Sequence, residues 1–521
     1  MKILIRAGKR PEDVLSPEAA FQRSRNGVFG ANVGNLLFSN AVYRTLNVPQ
    51  HSLVADALTT DKATVDAAHI ARINDEFDHF AIPLANAFRP SFIPVLDRLS
   101  AVIERLDIPV TVIGVGAQLA RTSGEGFEDL PASMHDSVVR FMRAVLARSA
   151  KVGVRGEFTR GYLESLGFGA EHVEVIGCPS LFEESEYRIE KRVPALTAGS
   201  ALAFNAVPSV DVFGRAFALH RQRFPDLHYV QQEHRELALL MWGEPVEGGI
   251  SHHFPRTVDH PVYREDRLRL FLDPAPWRAY LAERDFSFGG RIHGNIAALT
   301  AGTPAVVVSH DSRTLELAEY HRIPVVKLPE TAEEIRAEAL YEDADYTGFH
   351  AVQRENLERY TAFLAANGLD HIHAPGNENP GYAQELAEIS YGGAVRSLHA
   401  DGMDAVIGRL HWLWQGIDTD QYRLEGRFEP PFVPRRDHAN WEPTPRVLRK
   451  EIDRARTETR DAERRFAELQ RSAAQLETAQ ERLAAELEEL RRLTTRRFAW
   501  IPEHSIIRRA ARRIRGAGRS S

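Results

Sequence analysis

The segment FGGRIHGNIAALTAGTPAVVV, residues 288–308, sets an arginine and a histidine two positions apart behind a glycine pair. FSFGG reads as an apolar strand closing on glycine, and NIAALTAG opens a helix. Ala297, Ala298, Ala301 and Gly302 let that helix lie close to a sheet. Gly302-Thr303-Pro304 ends it, and AVVV is the next buried strand. Arg291 and His293 therefore fall at a strand's carboxyl end and a helix N-terminus, where open α/β sheets bind ligands. Free N–H groups and the helix dipole favour an anion there. Arg291 adds a planar fork for carboxylate or phosphate. His293 adds a group that exchanges a proton near neutral pH. A structural ion pair and a loop histidine are the plainer alternatives. Two such residues beside two glycines at a strand end favour chemistry. Gly294 and Asn295 follow directly and complete the candidate substrate-binding turn.

Two more stretches share this logic. In VGVRGEFTRGYLESLGF, Arg155 closes a strand just before a helix, with Glu157 and Thr159 in the first turn. Across a cleft from Arg291 and His293 it becomes a second anion clamp. In NGVFGANVGNLLFSNAVYRTL, residues 26–46, Gly30, Asn32, Gly34 and Asn35 precede a helix and let a ligand approach backbone N–H groups. This is neither a Walker A loop nor a G-x-G-x-x-G fingerprint, so it does not imply a nucleotide cradle. Cys178 reads as structural, because nothing local activates it. His252-His253, His310-Asp311 and Asp370-His371-x-His373 lack the spaced partners of a known metal site.

The elements that must hold these residues alternate. Strands are expected at KILIR, within 77–88 and 108–118, and at KVGVRG and HVEVIGCPS, with helices between them. This makes residues 1–190 an N-terminal α/β domain. The rhythm returns over 191–345, a second α/β domain, with the polar stretch 183–200 as the hinge. Residues 346–445 read as a helical annex and Pro-rich linker. Over 446–495 the stripe Ile452, Ala455, Thr459, Ala462, Phe466, Leu469, Ala473, Leu476, Gln480, Leu483, Leu487, Leu490 alternates steps of four and three without a slip. That is a coiled coil of about six heptads, roughly 70 Å long, and it predicts a homo-oligomer. The tail 496–521 holds eight arginines and one acid among aromatic and branched residues, a pattern suited to an anionic membrane surface.

The 521 residues carry a net charge of −7 and a single cysteine. The charge argues against nucleic acid as a partner, and the cysteine excludes both a disulfide framework and a multi-cysteine metal centre. No apolar run is long enough for a secretory or membrane-spanning segment, so a cytoplasmic protein is expected, at most peripheral to the membrane's inner face.

The GANVGN loop, VRGEFTRGYLESLG with VIGCPSLF, and RIHGNIAALTAGTP occur in this order over about residues 26–330. Together they resemble the polysaccharide pyruvyl transferase family, and the NGL at 367–369 resembles its trailing edge. The resemblance implies two facing Rossmann-like domains, similar to B-type glycosyltransferases, with the site between them. It implies transfer of the enolpyruvyl group of phosphoenolpyruvate onto two hydroxyls of a glycan or lipid-linked sugar as a ketal. No cofactor or metal is implied. The family's arginine falls on Arg155 and its R-x-H on Arg291 and His293, the implied catalytic set. Many members carry an acid directly after the first arginine, where this chain has Gly156 and then Glu157. The competing readings are a glycosyltransferase using a nucleotide sugar on the same architecture and a non-catalytic scaffold in glycan assembly.

Overall fold

The computed structural model describes residues 1–414, apart from 26–27, 31, 62–64, 120–129 and 247, together with 480–493. The expected coil over 446–495 lies outside the described residues except for 480–493, and the basic tail lies wholly outside them. Residues 480–493 are helical, with Leu483, Leu487, Leu490 and Leu493 exposed. The chain divides into a compact unit over Met1–Arg435 and a second over Arg436–Ser521.

The first unit holds two parallel sheets. In the first, β1 (Lys2–Ile5), β2 (Ser52–Ala55), β3 (His79–Pro83) and β4 (Val110–Ile113) run in the order β2-β1-β3-β4. A parallel bridge from Val115 to Val154 adds the pair β5 (Val152–Val154) and β6 (Val173–Val175) to its edge. In the second, β7 (Leu202–Asn205), β8 (Leu227–Gln231), β9 (Leu268–Leu270), β10 (Phe286–Gly289), β11 (Ala305–Ser309) and β12 (Val325–Lys327) run in the order β12-β11-β10-β7-β8-β9. The strands β3, β4, β7, β10 and β11 are buried throughout, which is why their sequences are mostly apolar. The fold is thus the expected pair of Rossmann-like halves.

The order of each sheet locates its crevice. In the first, the connections reverse direction between β1 and β3. In the second they reverse between β7 and β10, the doubly wound 3-2-1-4-5-6 order. At such switch points, neighbouring connections leave on opposite faces and open a gap beyond the strand ends.

Three features show how the halves and the site are held. The Thr347–Ala366 helix does not stand apart as an annex. Its Tyr360, Phe363 and Leu364 pack with Leu369 against Ile3, Ile5, Ala81 and Ile113 of the first sheet. In the NGL segment, the Asn367 side chain accepts from the Ser149 hydroxyl (2.8 Å) and from the N–H groups of Ala150 (3.0 Å) and Lys151 (3.3 Å). It thereby anchors the start of β5, the strand that ends at Arg155. The expected hinge opens on a buried anchor. The Glu183 carboxylate accepts from Arg44 of the first half (2.5 Å) and from both terminal nitrogens of Arg278 of the second, one at 2.9 Å. Glu183→Ala should take from two half-buried guanidiniums the carboxylate they share and cost about 1.5–3 kcal/mol, read from urea unfolding. A loss below about 1 kcal/mol would show the anchor to be incidental.

Candidate active site

A cleft of about 370 Å³ lies where both switch points converge. Arg6, Ala7 and Gly8 after β1 and Leu84, Ala85 and Asn86 after β3 line one wall. Gln232 and Glu233 after β8 and Arg291, Ile292 and His293 after β10 line the other.

Arg155 follows β5 and is 1 % exposed. Its Nε donates to the Gly114 carbonyl (3.0 Å), its guanidinium lies 5.5 Å from the centre of the Phe38 ring, and its Nη2 has no partner among the described residues. Gly116 makes room for it: a β-carbon there would stand 2.9 Å from Arg155 Cδ. Burial pushes the Arg155 pKa down to about 10, so the group is still a cation at neutral pH. A buried cation with no carboxylate bonded to it is an anion site.

Arg291 is the N-cap of the Ile292–Thr300 helix. Its guanidinium is largely engaged, with Nε donating to the Ala206 carbonyl (3.1 Å) and Nη2 to Glu233. Asn295 is fully buried behind it rather than in the cleft wall. The Asn295 amide donates to the Gly289 carbonyl (3.0 Å) and accepts from Asn205 (3.0 Å), which holds the turn that presents Arg291. Gly294 also lies behind the wall, because a β-carbon there would meet Asn205 and Gln232 below 3 Å. Asn295 and Gly294 thus shape the turn, and neither faces the cleft.

His293 is 8 % exposed and lies in the first turn of that helix. Its Nε2 is 3.9 Å from Cys178 Sγ. Burial, then Arg155, Arg313 and Arg291, hold its pKa well below the usual histidine value. At neutral pH it is a neutral imidazole.

In the glycine-rich loop, Gly30, Asn32 and Asn35 line the cleft, while Gly34 does not. Asn35 donates to the Phe29 carbonyl (3.1 Å), and Asn32 accepts from the Gly34 N–H (2.7 Å) while its own amide nitrogen has no partner. Gly34 is the seat of His293: a β-carbon there would stand 2.9 Å from His293 Cβ and Nδ1. Gly34→Ala must displace the imidazole, and kcat should fall about 10- to 100-fold with the fold retained. Unchanged kcat would mean that the imidazole position does not matter.

The position after Arg155 also has an explanation. A β-carbon at Gly156 would lie 2.9 Å from Glu316 Cβ and Oε2, so an acid does not fit there. Glu157 points outward and pairs with Arg160 (2.6 Å). The carboxylate at this spot comes instead from Glu316, which accepts from the Thr159 N–H (3.0 Å) and hydroxyl (2.8 Å) and is pushed up to about 7 by burial.

Reading along the chain missed Arg6, Arg89, Arg313 and Glu233, all in the cleft wall. Their only local signal is a polar residue a few positions past an apolar strand. The other histidine sets lie elsewhere. His252 and His253 gather beside Asp211 with their ligand atoms within 4.8 Å, but the Asp211 oxygens already accept from Ser251 and Arg215 (2.7 Å each). His373 bonds the Phe182 carbonyl (2.7 Å).

Two doubly wound sheets sharing a cationic cleft at their switch points define an α/β ligand-binding enzyme scaffold. The polysaccharide pyruvyl transferase family model matches residues 32–312, more than half of the sequence, and the chain belongs to that family. It is therefore a transferase, and membership implies a sugar acceptor. No curated protein matches the sequence. Among solved structures, the chain is similar to the S. aureus MnaA–UDP co-structure, with 13 % identity and TM-score 0.36, covering 75 % of this chain and 99 % of that one. It is also similar to UDP-GlcNAc 2-epimerase from Neisseria meningitidis bound to UDP-GlcNAc, with 11 % identity and TM-score 0.33, covering 75 % and 100 %. A third is the glycosyltransferase of kitacinnamycin, with 15 % identity and TM-score 0.29, covering 70 % and 97 %. Among the described residues, no helix is long and apolar enough to cross a membrane.

Proposed function

We propose that this transferase moves the enolpyruvyl group of phosphoenolpyruvate onto two hydroxyls of a sugar in a cell-surface polysaccharide or its precursor. The observation that carries the reading is the buried, unpaired Arg155 beside a neutral His293 in one cleft. The donor brings a carboxylate and a phosphate, which such a site attracts.

The chemistry needs an anion cradle and one proton relay. A proton added to C3 leaves an oxocarbenium-like centre at C2, and one sugar hydroxyl attacks it. The C2–O bond to phosphate breaks, a second hydroxyl closes the ketal, and the two hydroxyl protons balance the one taken up by C3 and the one leaving with phosphate. His293 relays a proton to C3 or to the departing phosphate, Arg155 binds an anion of the donor, and Arg291, paired with Glu233, holds the turn that presents His293. Neither step calls for a nucleotide, a cofactor or a metal. We further propose that the heptad region joins copies of the chain and that the basic tail holds them at the cytoplasmic membrane face, near lipid-linked acceptors.

The deciding experiment is phosphate release from phosphoenolpyruvate with and without a panel of β-galactosides and N-acetylhexosamines. Acceptor-dependent release, lost in Arg291→Ala, is the expected result. No release with any acceptor, together with calorimetric binding of a nucleotide sugar, would overturn the donor in favour of glycosyl transfer.

A further inference from the structure

Five arginines line the cleft against two carboxylates, Asp61 and Glu233. Arg6 is spent on Asp61, with its Nε 2.8 Å and its Nη2 2.5 Å from the two oxygens. Arg291 is spent on Glu233. Arg313 donates to Asp311 behind the wall (2.9 Å) but keeps a buried Nε without a partner. Arg89 has no carboxylate partner among the described residues, and its Nε is also buried and unpartnered. The amide of Asn86 stands between these last two. With its oxygen turned toward them, it accepts from Arg89 (2.7 Å) and Arg313 (2.8 Å), the assignment that satisfies both neighbours. Two guanidiniums are thus held side by side by a neutral bridge. Burial, and then the charge of Arg313, lower the Arg89 pKa.

We propose that Arg89 and Arg313, bridged by Asn86, form the phosphate-binding half of the donor site. Arg155 takes the carboxylate, and Arg291, tied to Glu233, positions the turn that carries His293. This rests on the phosphoenolpyruvate reading. Charge matching supports the division. A carboxylate carries one charge and fits the single free edge of Arg155, whereas a phosphate dianion needs two forks. Arg89 and Arg313 are the pair in the wall that offers two forks without a carboxylate between them.

The test is calorimetric binding of inorganic phosphate, pyruvate and phosphoenolpyruvate to the full chain and to Arg89→Met, Arg313→Met and Arg313→Lys. Melting temperatures serve as the control for folding. Each methionine variant should bind phosphate at least about 10-fold more weakly while its pyruvate affinity changes less than about 3-fold. Arg313→Lys, which keeps the charge and the Asp311 contact, should recover part of the loss even if Arg313→Met is unstable. Unchanged phosphate affinity in Arg89→Met and Arg313→Lys overturns the clamp. So does an equal loss of pyruvate binding, or a wild-type chain that binds no phosphate. If the wild type binds phosphate but not phosphoenolpyruvate, the donor reading fails. The clamp is then still decided by the phosphate arm.

Discussion

His293→Asn should lower the rate of pyruvyl transfer by about 10²–10⁴-fold while changing the donor's binding constant only a few-fold. Asparagine keeps a hydrogen-bonding atom near the position of Nδ1 but cannot carry a proton. The free imidazole is neutral, because three arginines and burial oppose its charge. A bound anion removes that opposition: it cancels the positive field and offers the imidazolium a partner, so the histidine pKa rises on donor binding. The sign follows from linkage. A group whose pKa is higher in the complex takes up a proton as the complex forms. Between the low free-state value and the raised bound-state value, donor binding should therefore be accompanied by proton uptake. Across that same window affinity should fall as the pH rises, and above the bound-state value it should level off. Calorimetry in buffers of different ionisation enthalpy reads the uptake directly. Its persistence in His293→Asn would assign the proton to another group, and full activity in that variant would falsify the relay.

Arg155→Met should separate function from stability. The guanidinium is buried, bonded to one backbone carbonyl and, among the described residues, paired with no carboxylate. A charge in that state destabilises the empty protein, and evolution retains such strain where function requires it. Methionine fills a similar volume beside Phe38 without the desolvation cost. The melting temperature should be no lower than wild type, while donor binding should weaken by about 30- to 1,000-fold, the usual effect of removing one partner of a buried charged contact. Arg155→Lys should not rescue it, because the ammonium lacks the planar fork that reaches both the Gly114 carbonyl and a ligand. A variant that unfolds more readily yet still binds donor would make Arg155 a structural residue.

Much of this site is written locally. KVGVRG and FSFGGRIH each show an apolar run ending on a cation, and a parallel strand of that kind delivers its last side chain to the carboxyl edge of the sheet. That suffices to put Arg155, Arg291 and His293 near one cleft once two such sheets face each other. The short edge strands β2 and β9 escaped notice because three or four residues carry too little periodicity. Where the helical annex packs was not legible for a different reason. The Thr347–Ala366 helix shows where its apolar residues lie, but not that they meet Ile3 and Ile5, more than three hundred positions away.

The sequence by itself therefore determined the class of the fold and which residue types stand at the strand ends, because both follow from contacts between near neighbours in the chain. Only the tertiary structure decided the electrical state of those residues. Glu233 occupies the fork of Arg291, no carboxylate bonds Arg155 among the described residues, His293 is kept neutral, and Arg89 joins Arg313 through Asn86. Each of these outcomes is a balance of desolvation against pairing. Both depend on which distant segments fold to within a few ångströms of one another, and no local pattern encodes that distance.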